Sequence, residues 1–401
     1  YFLERNWFFG RLEVYSQSAD NAQRFVFLSR AALTLCEQIG WIPDVIHCHD
    51  WTVGLLPVML NTILRDRPIG RAATVFTIHN LEHQGYAHKN TLAYARLPWS
   101  EFRADSLESY DQVNMMKAGL YHSTKLTTVS PTYAEEIRTQ LGGFGLDHVL
   151  RFRGGDLVGI VNGIDTSTWD PATDKALPAN FSAADLSGKA LCKRALQERL
   201  GLAVDPNLPV FGVVSRFATQ KGLDLLAEAL TPVLGQMQVQ FAILGSGEPM
   251  LEEVFRRAAQ FYPGRVGAHV GFDAKLARLI QAGSDLFVMP SRAEPCGLTQ
   301  MYAMRYGTPP VVRATGGLVD TVENYVEGGG RGTGFRFQDA TVQALQDTIG
   351  WACSTYYDRP DEYGGLQQRG MAKDFSWRQS AEKYVEVYEW AIEARSGAVP
   401  V

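Results

Sequence analysis

Glu294 lies in "SRAEPCGLTQMYAMRYGT", between the apolar run "DLFVMP" and a stretch of small and apolar residues that reads as a helix. Pro295 fixes the turn, and Gly297 lets backbone come close to a ligand. The helix that follows offers free N–H groups and the positive end of its dipole to an anion. A carboxylate accepts two hydroxyl hydrogen bonds at once, which suits a vicinal diol of a sugar, whereas it repels phosphate directly. The segment reads as a sugar-phosphate reader, with a helix cap that happens to contain Glu as the plain alternative. In "SRFATQKGLD", Arg216 ends a strand and Lys221 stands on the loop beside Gly222. Arginine supplies a fork for paired phosphate oxygens and lysine a compact charge, so together they suit a diphosphate. Two solvated cations on a loop is the other reading.

Further polar residues fall where strands should end: His49 and Asp50, His79 and Asn80, Asn162, and the glycines Gly316 and Gly317 of "ATGGLVDTV". In open parallel sheets ligands gather outside the carboxyl ends of the strands. Each such residue taken singly could instead cap the next helix. "VIHCHD" puts His47 and His49 on one face of a strand, beside Asp50. A strand spacing of two places imidazoles poorly around one ion and no further cluster accompanies them, so no metal is expected. "LGSGE", without a full G-x-G-x-x-G, is a weak dinucleotide signal. No Asp-x-Asp pair occurs to hold a metal on a diphosphate.

These residues need a scaffold. β-rich runs alternate with helical patterns: "PDVIHCHD" and "WTVGLLPVMLNTIL", then "ATVFTIHN", "KLTTVSPTYAEEI" and "DLVGIVNGID". That is the rhythm of parallel β-α-β units. Ser130 and Pro131 predict a capped helix start. From 166 to 207 the pattern loosens around a single helix, "KALCKRALQERLGL", and reads as an interdomain connection. A second alternating series follows from "LPVFGVVSRF" to "GTGFRF", and "FSWRQSAEKYVEVYEWAIEA" predicts a long closing helix capped by Ser376. The fold class is therefore α/β, with two doubly wound parallel-sheet domains at 1–169 and 170–373 and a closing helix in 374–401.

Composition narrows the function. The chain has 401 residues, 46% hydrophobic and 20% charged, with a formal net charge of −5 and no long basic block. Such a chain builds a sizeable core and lacks the electrostatic footprint for nucleic acid or anionic lipid. The apolar stretch "WTVGLLPVMLNTIL" is broken by Pro57 and is shorter than the roughly 18 to 20 residues a membrane helix requires. Five widely spaced cysteines without a C-x-x-C pair point to a reducing compartment.

"HCHDWTVGL", "TIHNLEHQG", "VNGIDTSTWDP", "SRFATQKGLD", "SRAEPCGLTQMYAMRYGT" and "ATGGLVDTV" together, in this order, resemble the bacterial glycogen synthase and starch synthase family. The resemblance spans nearly the whole chain. It implies a retaining glycosyltransferase of the GT-B type, with two Rossmann-like domains facing a cleft and a C-terminal helix crossing back to the first. The implied reaction moves glucose from ADP-glucose to the non-reducing end of an α-1,4-glucan, by front-side displacement, without cofactor or metal, in a bacterial cytoplasm or a plastid stroma. Carried over by position, Glu294 holds glucose hydroxyls, Arg216 and Lys221 hold the diphosphate, and His79 meets the sugar. Backbone around Cys296, Gly297, Leu298 and Thr299 lines the donor, as do Gly316, Gly317 and Thr321. Phe272 flanks the adenine, while Asp50, Asn80 and Asn162 belong to the cleft on the first domain. Relatives of this architecture often carry a second glutamate where Tyr302 stands, and Tyr302 agrees with the glycogen and starch synthase branch. A Lys-x-Gly-Gly-Leu loop, expected before the first residue of this sequence, is not within it, so a first segment is expected to be missing. Two rivals stay open: a UDP-sugar transferase or a glucan phosphorylase using Lys221 or Lys275 for pyridoxal phosphate, and a non-catalytic glucan binder with surface aromatics such as Trp377 and Tyr388.

Overall fold

Apolar runs bounded by polar turns become strands where the sequence predicts them. The computed structural model describes residues 2–11, 14–15, 18 and 20–397. β1 (Val45–His49), β2 (Ala73–Ile78), β3 (Lys125–Thr128) and β4 (Leu157–Gly159) form a parallel sheet in the order β1-β2-β3-β4. β2 is buried at every residue, as a central strand covered on both faces must be. Around this sheet lie α1 (Asn21–Gln38), α2 (Leu55–Asn61), α3 (Met115–His122) and α4 (Pro131–Glu136). α4 starts as predicted, with Pro131 in its first turn and the Ser130 hydroxyl accepting from the Tyr133 N–H at 2.9 Å.

The second series gives β5 (Val210–Phe217), β6 (Gln240–Gly247), β7 (Val266–Val270), β8 (Leu286–Met289), β9 (Pro310–Arg313) and β10 (Phe335–Phe337). They make one parallel sheet in the order β7-β6-β5-β8-β9-β10. Counted along the chain this is the 3-2-1-4-5-6 order of a dinucleotide-binding sheet, whose winding reverses between β5 and β8. α5 (Ser187–Arg199), α6 (Leu223–Gln236), α7 (Pro249–Phe261), α8 (Ala274–Gly283), α9 (Thr299–Arg305), α10 (Gly317–Thr321), α11 (Val342–Asp358) and α12 (Pro360–Ala372) accompany it. Apolar side chains on both faces are fully buried, Phe211, Phe241 and Phe335 on one and Ala242, Phe287 and Val312 on the other.

The chain divides into two compact units, Tyr1–Val161 with Ser380–Val401, and Asn162–Gln379. The boundaries read from sequence fall at 169/170 and 373/374, so Asn162, expected on the first domain, goes instead with the second unit. Residues after Val161 go with the second unit because the Ile164 N–H donates to the Phe375 carbonyl at 2.7 Å and Trp169 stacks on Tyr302. The stretch 166–207 is not a linker. Its helix α5 packs along α8 and buries Cys192 and Leu196. Asp174 accepts from Arg278 at 2.7 Å and from the Tyr306 hydroxyl at 2.5 Å. Turn-rich composition hides an apolar face that only these partners reveal.

α13 (Trp377–Ser396) closes the chain, and residues 398–401 of the closing segment lie outside the described residues. From Ser380 it belongs to the first unit, where Val387 and Ala391 are buried with Ala73, Val75 and Ile160. Arg395 donates to the Asn61 side chain at 2.9 Å and to the Gly70 carbonyl at 2.6 Å. At its entrance the acceptor is Asp374, whose carboxylate takes the Ser376 N–H at 2.8 Å. Ser376, expected as the cap, is the donor there.

Candidate active site

In the second unit the chemistry sits where the sheet reverses. Arg216 stands near the end of β5, and Lys221 follows in the next turn. Gly222 has φ +67°, and a Cβ there would lie 1.9 Å from the Pro290 carbonyl oxygen. Only glycine lets the loop after β5 lie against the loop after β8. Glu294, 5% exposed, thereby meets Lys221, whose Nζ donates at 2.8 Å to Oε1 and 2.7 Å to Oε2. The Ser291 hydroxyl donates to Oε2 at 3.0 Å.

The carboxylate expected to accept sugar hydroxyls is thus already an acceptor for Lys221 and Ser291. A carboxylate has about four acceptor sites and an ammonium about three N–H donors. Lys221 and Ser291 fill most of the former, and Glu294 takes most of the latter. One acceptor site and one ammonium N–H remain. Both side chains line a cavity of about 190 Å³, together with Arg216, Gly297, Leu298 and Thr299. Arg216 is exposed, and its guanidinium has no hydrogen-bond or ion-pair partner among the described residues.

The loop bearing Glu294 is latched on several sides. Arg313 donates to the Ser291 carbonyl at 2.8 Å and also to that of Arg292, and the Arg292 N–H donates to Gln220 at 2.8 Å. The Gly317 N–H donates to the Glu294 carbonyl at 3.0 Å. A Cβ on Gly316, at φ +44°, would lie 2.0 Å from that same oxygen, and one on Gly317 would lie 2.1 Å from the Cys296 carbonyl oxygen. Gly316 and Gly317 thus lie against the backbone carrying Glu294. Thr321, 2% exposed, donates to the Gly317 carbonyl at 2.6 Å and accepts from Gln300 at 3.0 Å, so it braces that contact from inside. The Thr299 hydroxyl donates to the Met289 sulfur at 3.3 Å. Burial pushes the Cys296 thiol up to about 12, partly offset by a hydrogen bond with the Asn162 backbone. Phe272 follows β7 with its ring 93% exposed. Tyr302 is absent from the cavity wall. It stacks on Trp169 with centroids 3.8 Å apart, and the Arg278 guanidinium lies 4.4 Å from the Trp169 centroid.

The first unit carries a different cluster at the ends of β1 and β2. Asp50 takes φ 60°, and its carboxylate accepts the His79 N–H at 2.8 Å. Burial pushes the Asp50 carboxyl up, against the pull of backbone hydrogen bonds from His79 and Asn80. The Asn80 side chain accepts from the Glu82 N–H at 3.1 Å. His49 Nδ1 meets His79 Nε2 at 3.0 Å, and the His47 and His49 rings stack at 4.2 Å. His47 is held at both nitrogens, by the Tyr388 hydroxyl at 2.8 Å and the Thr77 hydroxyl at 2.6 Å. Burial, then the nearby His49 and His79, push His47 down to about 3. Among the described residues there is no group of three or more His, Cys, Asp or Glu that could hold a metal ion. The sequence reading brought forward neither Ser291 nor Thr77 as site residues. The Tyr384 and Tyr388 pair on one helical face was the available signal for the latter cluster.

Known proteins share this arrangement of sequence. A family model described as the starch synthase catalytic domain matches residues 1–152, and one described as glycosyl transferases group 1 matches residues 197–364. A glycogen synthase of Anaeromyxobacter sp. (strain Fw109-5) is 51% identical over 393 residues, covering 97% of this chain and 82% of the relative. Glycogen synthase 1 of Geobacter sulfurreducens is 47% identical over 402 residues, 99% of this chain and 80% of the relative. The chain belongs to the glycogen synthase and starch synthase family. The solved catalytic domain of starch synthase IV from Arabidopsis thaliana, bound to ADP and acarbose, superposes with a TM-score of 0.90 at 38% identity, covering 96% of this chain and 80% of that one. The fold class is accordingly GT-B, built of two Rossmann-like α/β units. Members of this glycogen and starch synthase family are glycosyltransferases. Among the described residues no helix is long and apolar enough to cross a membrane.

Proposed function

We propose that the chain is a retaining glucosyltransferase that moves glucose from ADP-glucose to the non-reducing end of an α-1,4-glucan. The observation that carries the reading is the trio Arg216, Lys221 and Glu294 at the switch point of a 3-2-1-4-5-6 sheet. Arg216 and the remaining N–H of Lys221 hold the diphosphate. The remaining acceptor site of Glu294 takes a glucose hydroxyl. As ADP departs, negative charge builds on the phosphate and positive charge on the anomeric carbon. The cations stabilise the first and the carboxylate the second, with little reorganisation because Lys221 and Glu294 already hold each other. Backbone from Cys296 to Thr299, with Gly316 and Gly317, approaches the donor, and Phe272 offers its exposed ring to the base. Thr321 acts behind these glycines, Asn162 steadies the Cys296 thiol, and Asp50, His79 and Asn80 are the first unit's own contribution to sugar binding.

The ADP bound to the starch synthase relative supports adenine as the base. No cofactor is invoked, and the fixed cations take the part that a metal plays on other diphosphates. The test is transfer to a maltooligosaccharide from ADP-glucose and UDP-glucose side by side, with and without a strong chelator. The expected result is a higher kcat/KM with ADP-glucose and no loss on chelation. A preference for UDP-glucose overturns the donor, and activity restored only by added magnesium or manganese overturns metal independence.

A further inference from the structure

We infer that His49 is a positioning residue for His79, holding its Nε2 so that His79 presents one fixed ring plane and only Nδ1 to the sugar. The inference rests on the proposed glucosyl transfer, in which His79 meets the donor. His49 ends β1, and its Cα partner across the sheet is Thr77, so His79 just past β2 comes within reach. The two imidazole nitrogens lie 3.0 Å apart. In a neutral pair one nitrogen donates and the other accepts, so this bond couples the tautomers of the two rings and leaves only His79 Nδ1 for the sugar.

His49 is itself kept from turning. Its ring stacks on His47 at 4.2 Å with 28° between planes. His47 is pinned at both nitrogens by Tyr388 of α13 and by Thr77, whose hydroxyl is hydrogen-bonded in turn to Thr127 at 2.5 Å. Because His47 is pushed down to about 3, it stays neutral and does not repel the ring stacked on it. The order runs from hydroxyls buried in the sheet to a solvent-exposed imidazole at its edge. His49 is exposed and adds little to the core, so a purely structural role would leave its removal nearly silent.

The test uses geometry. An asparagine amide sits near the Nδ1 position of histidine and a glutamine amide near Nε2. His49→Ala should lower kcat roughly ten- to a hundred-fold with KM for ADP-glucose within about two-fold and an unchanged melting temperature. His49→Asn should recover most of that loss, and His49→Gln should not. In a His79→Ala background, His49→Ala should cost nothing further. A His49→Ala enzyme within about two-fold of the parent, indistinguishable Asn and Gln variants, or losses that multiply would each overturn the inference. Failure of the parent to transfer glucose would overturn the glucosyl-transfer reading instead. The contact is then read separately from imidazole nitrogen chemical shifts, where His79 Nε2 should move in His49→Gln and stay in His49→Asn. Its indifference to both substitutions refutes the contact.

Discussion

The two units end their sheets in opposite ways. At the ends of β1 and β2 the groups are rings and hydroxyls in a relay, His47 between Tyr388 and Thr77 and His49 against His79, with Asp50 turned to backbone amides. At the ends of β5 and β8 the groups are ions, Lys221 on Glu294, Arg292 on Asp224 at 2.5 Å, and Arg216 without a partner among the described residues. A relay of neutral groups fixes direction, because each donor must find an acceptor. A cluster of fixed ions makes a field, which acts wherever charge develops. The reaction proposed above builds its charge on a phosphate, so the ionic end should matter more to rate.

Removing the cations should therefore have the largest effect. Arg216→Ala and Lys221→Ala should each lower kcat by about a thousand-fold. They should differ in stability: Lys221→Ala leaves buried Glu294 without its counter-ion, at a cost of up to about 3–5 kcal/mol, whereas Arg216→Ala breaks no pair. Paired kinetics and melting curves check both, and variants within a few-fold of the parent would erase the contrast between the two ends. Next, Glu294→Ala should raise the barrier by roughly 2–4 kcal/mol, lowering kcat far more than it raises KM. If KM carries the loss, Glu294 only binds.

The neutral end is probed best by acid. His47 is lowered from 6.5 to about 3, so between those values the unfolded chain binds a proton that the folded chain does not. Its contribution to stability is complete above pH 6.5 and is lost as pH falls toward about 3. His47→Gln should melt below the parent at pH 7, with a gap that narrows on acidification. A gap independent of pH would mean that His47 does not titrate with unfolding.

Local patterns carried the strands, the start of α4 and the shared face of His47 and His49, because each is fixed by residues a few positions apart. Pairings across the chain were not legible. Lys221 and Glu294 are 73 positions apart and His47 and Tyr388 are 341 apart, so each could be marked as unusual while its partner stayed unknown. Tyr302 read only as a mark of the glycogen and starch synthase branch, and the fold gives it Trp169 as a partner. The stretch after Asp165 read as a linker because its apolar contacts are distant in sequence.

The loop from Pro290 to Gly297 has the coherence of a strand without being one. Gly222 presses on its start, Arg313 ties its middle and Gly317 its end. Ordering a free loop costs roughly 1–2 kcal/mol per residue, and here that entropy is lost when the chain folds rather than when a ligand arrives. Amides in this loop should thus exchange with solvent as slowly as those of the sheet, and substrate should slow them little further. Affinity at Glu294 is then free to reflect the contact itself.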